Sequence, residues 1–298
     1  MKLRFWGVRG SIPSPGVDTA GVGGNTSCVE VRCGGTRLVL DAGTGLRRLG
    51  DTMMAAQALD ATLLLSHFHW DHIQGLPFFV PAYLRQSELR VVGMRGAALT
   101  LEQTLATQMQ APVFPVRFDQ LGARLALDEI TPGASFALGD VRVRTALLDH
   151  PGGSLGYRIE HGGNVVVYAT DVELGGAAEP SLRALAHEAD VLVMDAQYLP
   201  EEYRNAKVGW GHSTFDAVAR LARESRVKNL VLFHHDPTRS DAGVAAIEAA
   251  ARELFPRTIA AREGLFLDAS SSDALPSAEP SPEPSASTRG RAQAGLPG

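Results

Sequence analysis

The seven residues Ser66-His67-Phe68-His69-Trp70-Asp71-His72 constrain this chain more than any other stretch. They hold three of its nine histidines, and they follow the apolar run Ala61-Thr62-Leu63-Leu64-Leu65, which reads as a buried strand. A strand that ends in ligands presents them on a rigid edge. His67 and His69, two apart, project to one side where the chain is still extended, so a single ion can take both imidazoles. Asp71 and His72 follow where the backbone turns. Adjacent residues in a turn diverge, which suits this pair to a second ion, and two ions roughly 3.5 to 4 Å apart form a hydrolytic site. Active-site loops sit at such places.

The spacing His-x-His-x-Asp-His after a hydrophobic strand resembles the signature of the metallo-β-lactamase superfamily of binuclear hydrolases. The resemblance implies an αββα sandwich, an α/β fold of four layers, with the metals at one edge of the two sheets.

At 298 residues the chain can bury one large two-sheet core or two small ones. Its 45% apolar and 20% charged residues are those of a globular protein, and 28 Lys plus Arg against 33 Asp plus Glu leave a formal charge of −5. That balance does not suggest a nucleic-acid-binding surface. Cys28 and Cys33, the only cysteines, flank one predicted strand, and an odd separation points them to opposite faces, so no disulfide is expected. Reduced thiols fit a cytoplasmic location. No signal peptide and no membrane-spanning segment is read.

In chain order, a first strand is predicted over Lys2 to Val8, followed by glycine-rich punctuation from Gly10 to Asn25 that reads equally as a connector or as a substrate-side loop. Cys28 to Arg32 and Thr36 to Leu40 form a hairpin around Gly34-Gly35. Leu46 to Leu59 reads as an amphipathic helix. Asp41, in Asp41-Ala42-Gly43, reads foremost as a turn or capping carboxylate; the alternative is an acceptor for the N–H of a ligand imidazole. Leu76 to Tyr83 covers the mouth of the site or packs on the core. Strand Glu88 to Gly93, helix Ala98 to Gln110, strands within Ser135 to Leu148 and over Leu155 to Glu160, and helix Glu179 to Glu188 follow. Ser213 and Asp216 form a capping box that opens a helix running through Ala222. A domain over residues 1–268 is expected, with a Ser-, Pro- and Ala-rich tail at 269–298 that is disordered and dispensable for chemistry.

The resemblance supplies the remaining ligands. His150, in Asp149-His150-Pro151-Gly152-Gly153, stands about eighty residues past the first motif, where the family gives its third histidine to the first ion. Asp171, at the end of the buried strand Val165 to Asp171, resembles the family's bridging aspartate. His234 follows strand Asn229 to Phe233, 22 residues after His212, as the branch places its final ligand; His235 is the neighbour with which it could be exchanged. His67, His69 and His150 would then hold one ion, and Asp71, His72 and His234 the other, with Asp171 between them. Zinc or manganese suits such ligands, and iron or nickel also accepts them.

Met194-Asp195-Ala196-Gln197 and His212-Ser213-Thr214 resemble the carboxylate and histidine motifs of the superfamily's phosphodiesterase branch, which includes ribonuclease Z and the phosphoribosyl cyclic phosphodiesterases. The branch usually has His-Glu-Ala where this chain has Met194-Asp195-Ala196. By resemblance, His212 protonates the leaving oxygen and Asp195 orients it; the lesser alternative is a histidine that only caps a helix start. The expected catalytic set is His212, Asp195 and Asp71. Bound metal lowers the pKa of water towards ~7, so hydroxide is available with no nucleophilic serine or cysteine, and none is evident in the sequence.

A phosphodiester needs a protonated leaving group, whereas an amide, lactone or thioester makes less use of this pair. A tRNA-processing endonuclease of the branch would carry a long RNA-binding arm and a basic docking surface. Neither is read here. The first expectation is a small substrate such as a cyclic nucleotide or other cyclic phosphate. A ribonuclease Z-like endonuclease is second, and another hydrolase of the superfamily third; a metal-binding regulator without turnover has no need of His212. A homodimer is implied by the resemblance alone.

Overall fold

The computed structural model describes residues 1–96 and 98–271. Six strands come first: β1 (Lys2–Gly7), β2 (Cys28–Cys33), β3 (Thr36–Leu40), β4 (Ala61–Leu64), β5 (Glu88–Met94) and β6 (Arg124–Ile130). Seven more follow: β7 (Ser135–Leu138), β8 (Val141–Leu148), β9 (Ser154–His161), β10 (Asn164–Ala169), β11 (Val191–Asp195), β12 (Asn229–Phe233) and β13 (Thr258–Ala260). The last, β14 (Phe266–Asp268), returns to the first group. They make two seven-stranded sheets, ordered β14-β1-β2-β3-β4-β5-β6 and β13-β12-β11-β10-β9-β8-β7. Strands β3 to β6 run parallel, as do β10 to β13.

The helices are α1 (Gly45–Ala55), the single turn α2 (Trp70–Ile73), α3 (Leu101–Ala106), α4 (Glu179–Ala186), the short α5 (Pro200–Glu202), α6 (Phe215–Glu224) and α7 (Asp241–Leu254). Alternation along the strands separates the apolar residues into three cores. Leu3, Val31, Leu40, Tyr157, Tyr168 and Val231 pack between the sheets. Leu46, Leu49 and Met53 of α1 cover the outer face of the first sheet. Leu182 of α4, Val218 and Leu221 of α6 and Ile247 of α7 cover the outer face of the second. The result is the expected αββα order. Among the described residues no helix is long and apolar enough to cross a membrane.

Some local expectations need correction. Helix α1 stops at Ala55 rather than Leu59, because Gln57 turns left-handed at φ 52° and the Arg37 guanidinium binds the carbonyls of Ala58 and Asp60. Helix α3 is half the expected length: a capping box starts it at Thr100, whose hydroxyl accepts the Gln103 N–H at 3.1 Å, and it ends by Thr107. Ser213 does not open α6. Thr214 is the N-cap residue, and the Ser213 hydroxyl donates instead to the Val172 carbonyl. Leu76, Phe79 and Ala82 pack on the α1 side of the core, while Phe78 and Val80 are exposed. Cys28 and Cys33 are unpaired and buried in different cores, on opposite faces of β2. Of the expected tail, Ala269 belongs to the fold, its N–H donating to the Met1 carbonyl at 2.8 Å; residues 272–298 lie outside the described residues.

Candidate metal centre

The carboxyl ends of β4, β10, β11 and β12 and the turn between β8 and β9 meet at one edge of the sandwich. Strand β4 delivers His67 and His69, and α2 carries Asp71 and His72. Asp171 and His234 stand just past β10 and β12 with left-handed φ of 52° and 58°, as does Asp41 past β3 at 60°. Non-glycine residues rarely adopt this conformation. Here it turns each side chain back across the strand ends, the kind of strain that collects at functional sites.

One ligand atom from each of His67, His69, His150 and Asp171 lies within 4.8 Å of the others, and the same holds for Asp71, His72 and His234. Asp171 lies between the groups: its Oδ1 is 3.2 Å from the Nε2 of both His72 and His234. Its Oδ2 is 3.6 Å from His67 Nε2 and 3.7 Å from His150 Nε2. Every sequence-predicted ligand is thus brought into one cluster. His234 faces it, whereas His235 turns away and bonds the Ala261 carbonyl at 2.9 Å.

Hydrogen bonds on the far side of the rings fix which nitrogen faces inward. His72 Nδ1 is 2.8 Å from Asp41 Oδ2, His150 Nδ1 2.9 Å from the Gly211 carbonyl, and His234 Nδ1 3.0 Å from Gln197 Oε1. Each partner is an acceptor, so each Nδ1 carries the proton. Ser66 Oγ donates to Asp41 Oδ2 at 2.8 Å and is left to accept from His67 Nδ1 at 3.0 Å. Four Nε2 lone pairs therefore point at the carboxylates of Asp71 and Asp171. His67 Nε2 is buried with no hydrogen-bond partner at all. Acceptors converging on acceptors need a cation between them, and this donor set fits divalent metal ions.

Burial lowers His67, His69 and His150 below the usual imidazole range and keeps them neutral, as a metal ligand must be. Burial also opposes charge on His72, yet the carboxylates of Asp171, Asp71 and Asp41 raise it well above that range, so they draw to Nε2 a positive charge that a bound cation would supply in place of a proton. Asp71 and Asp171 stay charged against their own burial, held well below the usual carboxylate range by the surrounding imidazoles.

Beside the cluster, His212 Nδ1 is 2.7 Å from Asp195 Oδ2, and its ring stacks on His234 at 5.0 Å between centroids. Asp195 is fully buried and also accepts the N–H of Gln197 at 3.0 Å through its other oxygen. Burial alone would lower the His212 pKa, but the Asp195 carboxylate outweighs it and raises the group to about 9. The shorter Asp195 therefore reaches His212 despite the departure from the usual glutamate.

Other residues complete the site. Asp41 is an acceptor and not a cap: its carboxylate takes bonds from His72, from the Ser66 N–H and hydroxyl, and from the Tyr168 hydroxyl at 2.7 Å. No side chain caps α1. The glycine-rich loop is a site-side loop: the Ser11 N–H donates to Asp71 Oδ2 at 2.7 Å, and a Cβ on Gly10 would lie 2.4 Å from the His234 ring. Gln197 and Tyr168 join the site with no local signal in the sequence beyond the need of a buried tyrosine for a hydroxyl partner. A cavity of about 830 Å³ opens beside His150, walled by Leu147, Leu174, Tyr203 and Val208. Its charged lining is Asp149 and Glu173, with no Lys or Arg among the described residues.

A model of the Beta-lactamase superfamily domain matches residues 36–235. Ribonuclease Z from Mycobacterium sp. (strain KMS) is 31% identical over 254 residues, covering 77% of this chain and 84% of that protein. Among solved structures, the metallo-beta-lactamase fold protein YhfI from Bacillus subtilis superposes with a TM-score of 0.67 at 18% identity, over 89% of this chain and 97% of that one. The short form of human tRNase Z superposes with a TM-score of 0.65 at 21% identity, over 90% and 99%. These two likenesses are of fold.

Proposed function

Since this chain belongs to the metallo-β-lactamase superfamily and to its phosphodiesterase branch, we propose that it hydrolyses a small phosphodiester, such as a cyclic nucleotide or another cyclic phosphate, with His212 as general acid. The protein is a metal-dependent hydrolase. The observation that carries the finer reading is the His212–Asp195 pair, 2.7 Å apart and set against the metal cluster. Nδ1 is committed to Asp195, so proton exchange falls to Nε2. The Asp195 carboxylate favours a proton on that ring, and protonating a departing alkoxide is worth typically about 10²- to 10⁴-fold.

His67, His69 and His150 would hold one ion, Asp71, His72 and His234 the other, with Asp171 shared. Two such ions, zinc or manganese by the chemistry of the ligands, would neutralise the phosphate oxygens and activate a water near neutral pH. Asp41, Gln197 and the Gly211 carbonyl keep three of the imidazoles in the tautomer and direction that this requires.

The small-substrate reading is supported by the cavity beside His150. An extended RNA strand draws most of its affinity from cations that neutralise phosphates, and this cavity offers two carboxylates and apolar walls. An uncharged substituent on the phosphate suits it better. A ribonuclease Z-like endonuclease is the second reading, favoured by the name of the 31% identical relative.

One turnover screen decides between them: the metal-loaded protein against 2′,3′- and 3′,5′-cyclic nucleotides, linear diesters, precursor tRNA, a lactone and a β-lactam. Cleavage of cyclic or simple linear diesters well above precursor tRNA is the expected result. Efficient and position-specific tRNA cleavage would replace the first reading with the second, and lactone or β-lactam turnover alone would remove both.

A further inference from the structure

The segment that brings in the proton donor is tied down by one carboxylate that the chemistry above does not use. Glu173 lies two residues past Asp171. Its Oε1 accepts the Tyr203 hydroxyl at 2.6 Å and the Gly209 N–H at 2.8 Å, and its Oε2 accepts the Gly211 N–H at 2.8 Å. On the outer side of this segment Val208 and Trp210 are exposed, with the Lys207 ammonium 3.7 Å from the Trp210 ring centroid. The Gly211 peptide faces two ways. Its N–H goes to Glu173, while its carbonyl accepts His150 Nδ1 at 2.9 Å. Gly211 also sits at φ 83°, and a Cβ there would meet His150 Nδ1 at 2.2 Å and Pro151 Cδ at 2.4 Å. The next residue is His212.

We propose that Glu173 is the positioning residue of the proton donor, holding the Gly209–Gly211 turn so that His212 and His150 keep a fixed relation across one peptide. This rests on the general-acid reading of His212. Charged acceptors bind backbone N–H groups more strongly than neutral ones do. Both oxygens of Glu173 are needed, because three donors from one segment converge on them. A glutamine in its place has a single acceptor oxygen and presents N–H donors to at least one of the three. The turn then loosens, and His212 spends less time aligned with the leaving oxygen. Small misplacements of this kind cost rate and not substrate affinity.

The test uses two diesters that share a phosphoryl group and differ in leaving-group basicity: phenyl methyl phosphate and p-nitrophenyl methyl phosphate. In the zinc- or manganese-loaded protein, Glu173→Gln should lower kcat on the phenyl ester by about tenfold, a part of the roughly 10²- to 10⁴-fold that general-acid help supplies. KM should stay unchanged, the p-nitrophenyl ester should be little affected, and elemental analysis should still find two ions per chain. Tyr203→Phe, which removes one of the three bonds and leaves the backbone alone, should show the same selectivity with a smaller loss. In the metal-free protein, the His212–Asp195 hydrogen bond at 2.7 Å should give a low-field proton by NMR in the wild type, and this signal should broaden or vanish in Glu173→Gln.

Equal losses on both esters, or an unchanged rate and NMR signal, would overturn the proposal. His212→Ala run alongside separates the two layers of argument. If it too affects both esters equally, the general-acid reading falls and this one with it; if it is selective and Glu173→Gln is not, only the positioning role is lost.

Discussion

His212 Nδ1 and Asp195 Oδ2 stand 2.7 Å apart, joined across seventeen residues of chain and against the edge of a cluster of imidazoles and carboxylates. A histidine that bonds a buried carboxylate and stacks beside the proposed ligands is suited to proton transfer. Replacing it by alanine should leave two ions bound but cost about 10²-fold or more on phenyl methyl phosphate. The loss on p-nitrophenyl methyl phosphate should be far smaller, since p-nitrophenolate departs without a proton. Steady-state kinetics on the two esters checks this.

The same pair sets a titration. In the metal-free protein the His212 pKa is raised to about 9, with burial opposing and Asp195 prevailing. A pKa raised on folding means that the native state binds the proton more tightly. The pair's stabilisation is therefore complete below the unfolded value of about 6.5 and is lost as pH climbs through 9. Asp195→Asn leaves burial without the nearest compensating charge, so the His212 midpoint should fall by NMR titration. An unmoved midpoint would show that Asp195 does not govern the imidazole.

Asp171 reaches both halves of the cluster, its two oxygens facing His72 and His234 on one side and His67 and His150 on the other. Asp171→Ala should bind fewer than two ions per chain by elemental analysis. A full complement would remove its proposed role as the shared ligand.

Asp41 collects four hydrogen bonds from His72, Ser66 and Tyr168, all buried. Asp41→Asn sets an amide N–H against at least one of those donors and lets the His72 ring turn. We expect a loss of about 1 to 3 kcal/mol in unfolding free energy and a metal affinity weaker by about 10- to 100-fold, measured by denaturant titration and by competition with a chelator. Wild-type affinity in a destabilised variant would make Asp41 a structural residue only.

Both thiols are kept protonated by burial. Cys28 is pushed well above the ordinary thiol range and Cys33 up to about 11. Only a thiolate attacks an alkylating reagent. At pH 8 the native protein should take up no iodoacetamide by mass spectrometry, and both cysteines should label once denaturant is added. Rapid labelling of the native protein would contradict the burial of β2.

How far the site could be read along the chain depends on how many residues must meet to define each part. His67, His69, Asp71 and His72 are legible because β4 and α2 place all four within six residues, so local geometry alone aims them together. Asp171, Asp195 and His234 are legible as polar residues that end or follow buried strands and, with the His212 motif before α6, by their resemblance to the phosphodiesterase branch. Asp41 reads locally as a cap, since its donors come from other strands, Tyr168 from 127 residues away. Ser213 satisfies the local pattern of a capping box, but the Val172 carbonyl, 41 residues distant, takes its hydroxyl.

Apolar alternation therefore determined the strands, and local spacing the part of the cluster from His67 to His72, because each depends on neighbours two to four residues apart. The layers, and His150, Asp171 and His234 as ligands, were legible only through the family resemblance. Only the tertiary structure decided which nitrogen of each imidazole faces inward, which of His234 and His235 enters, and which carboxylate holds the turn before His212. Those choices rest on hydrogen bonds between segments that the chain separates by tens of residues, and a bond of that kind has no local periodicity from which it could be read.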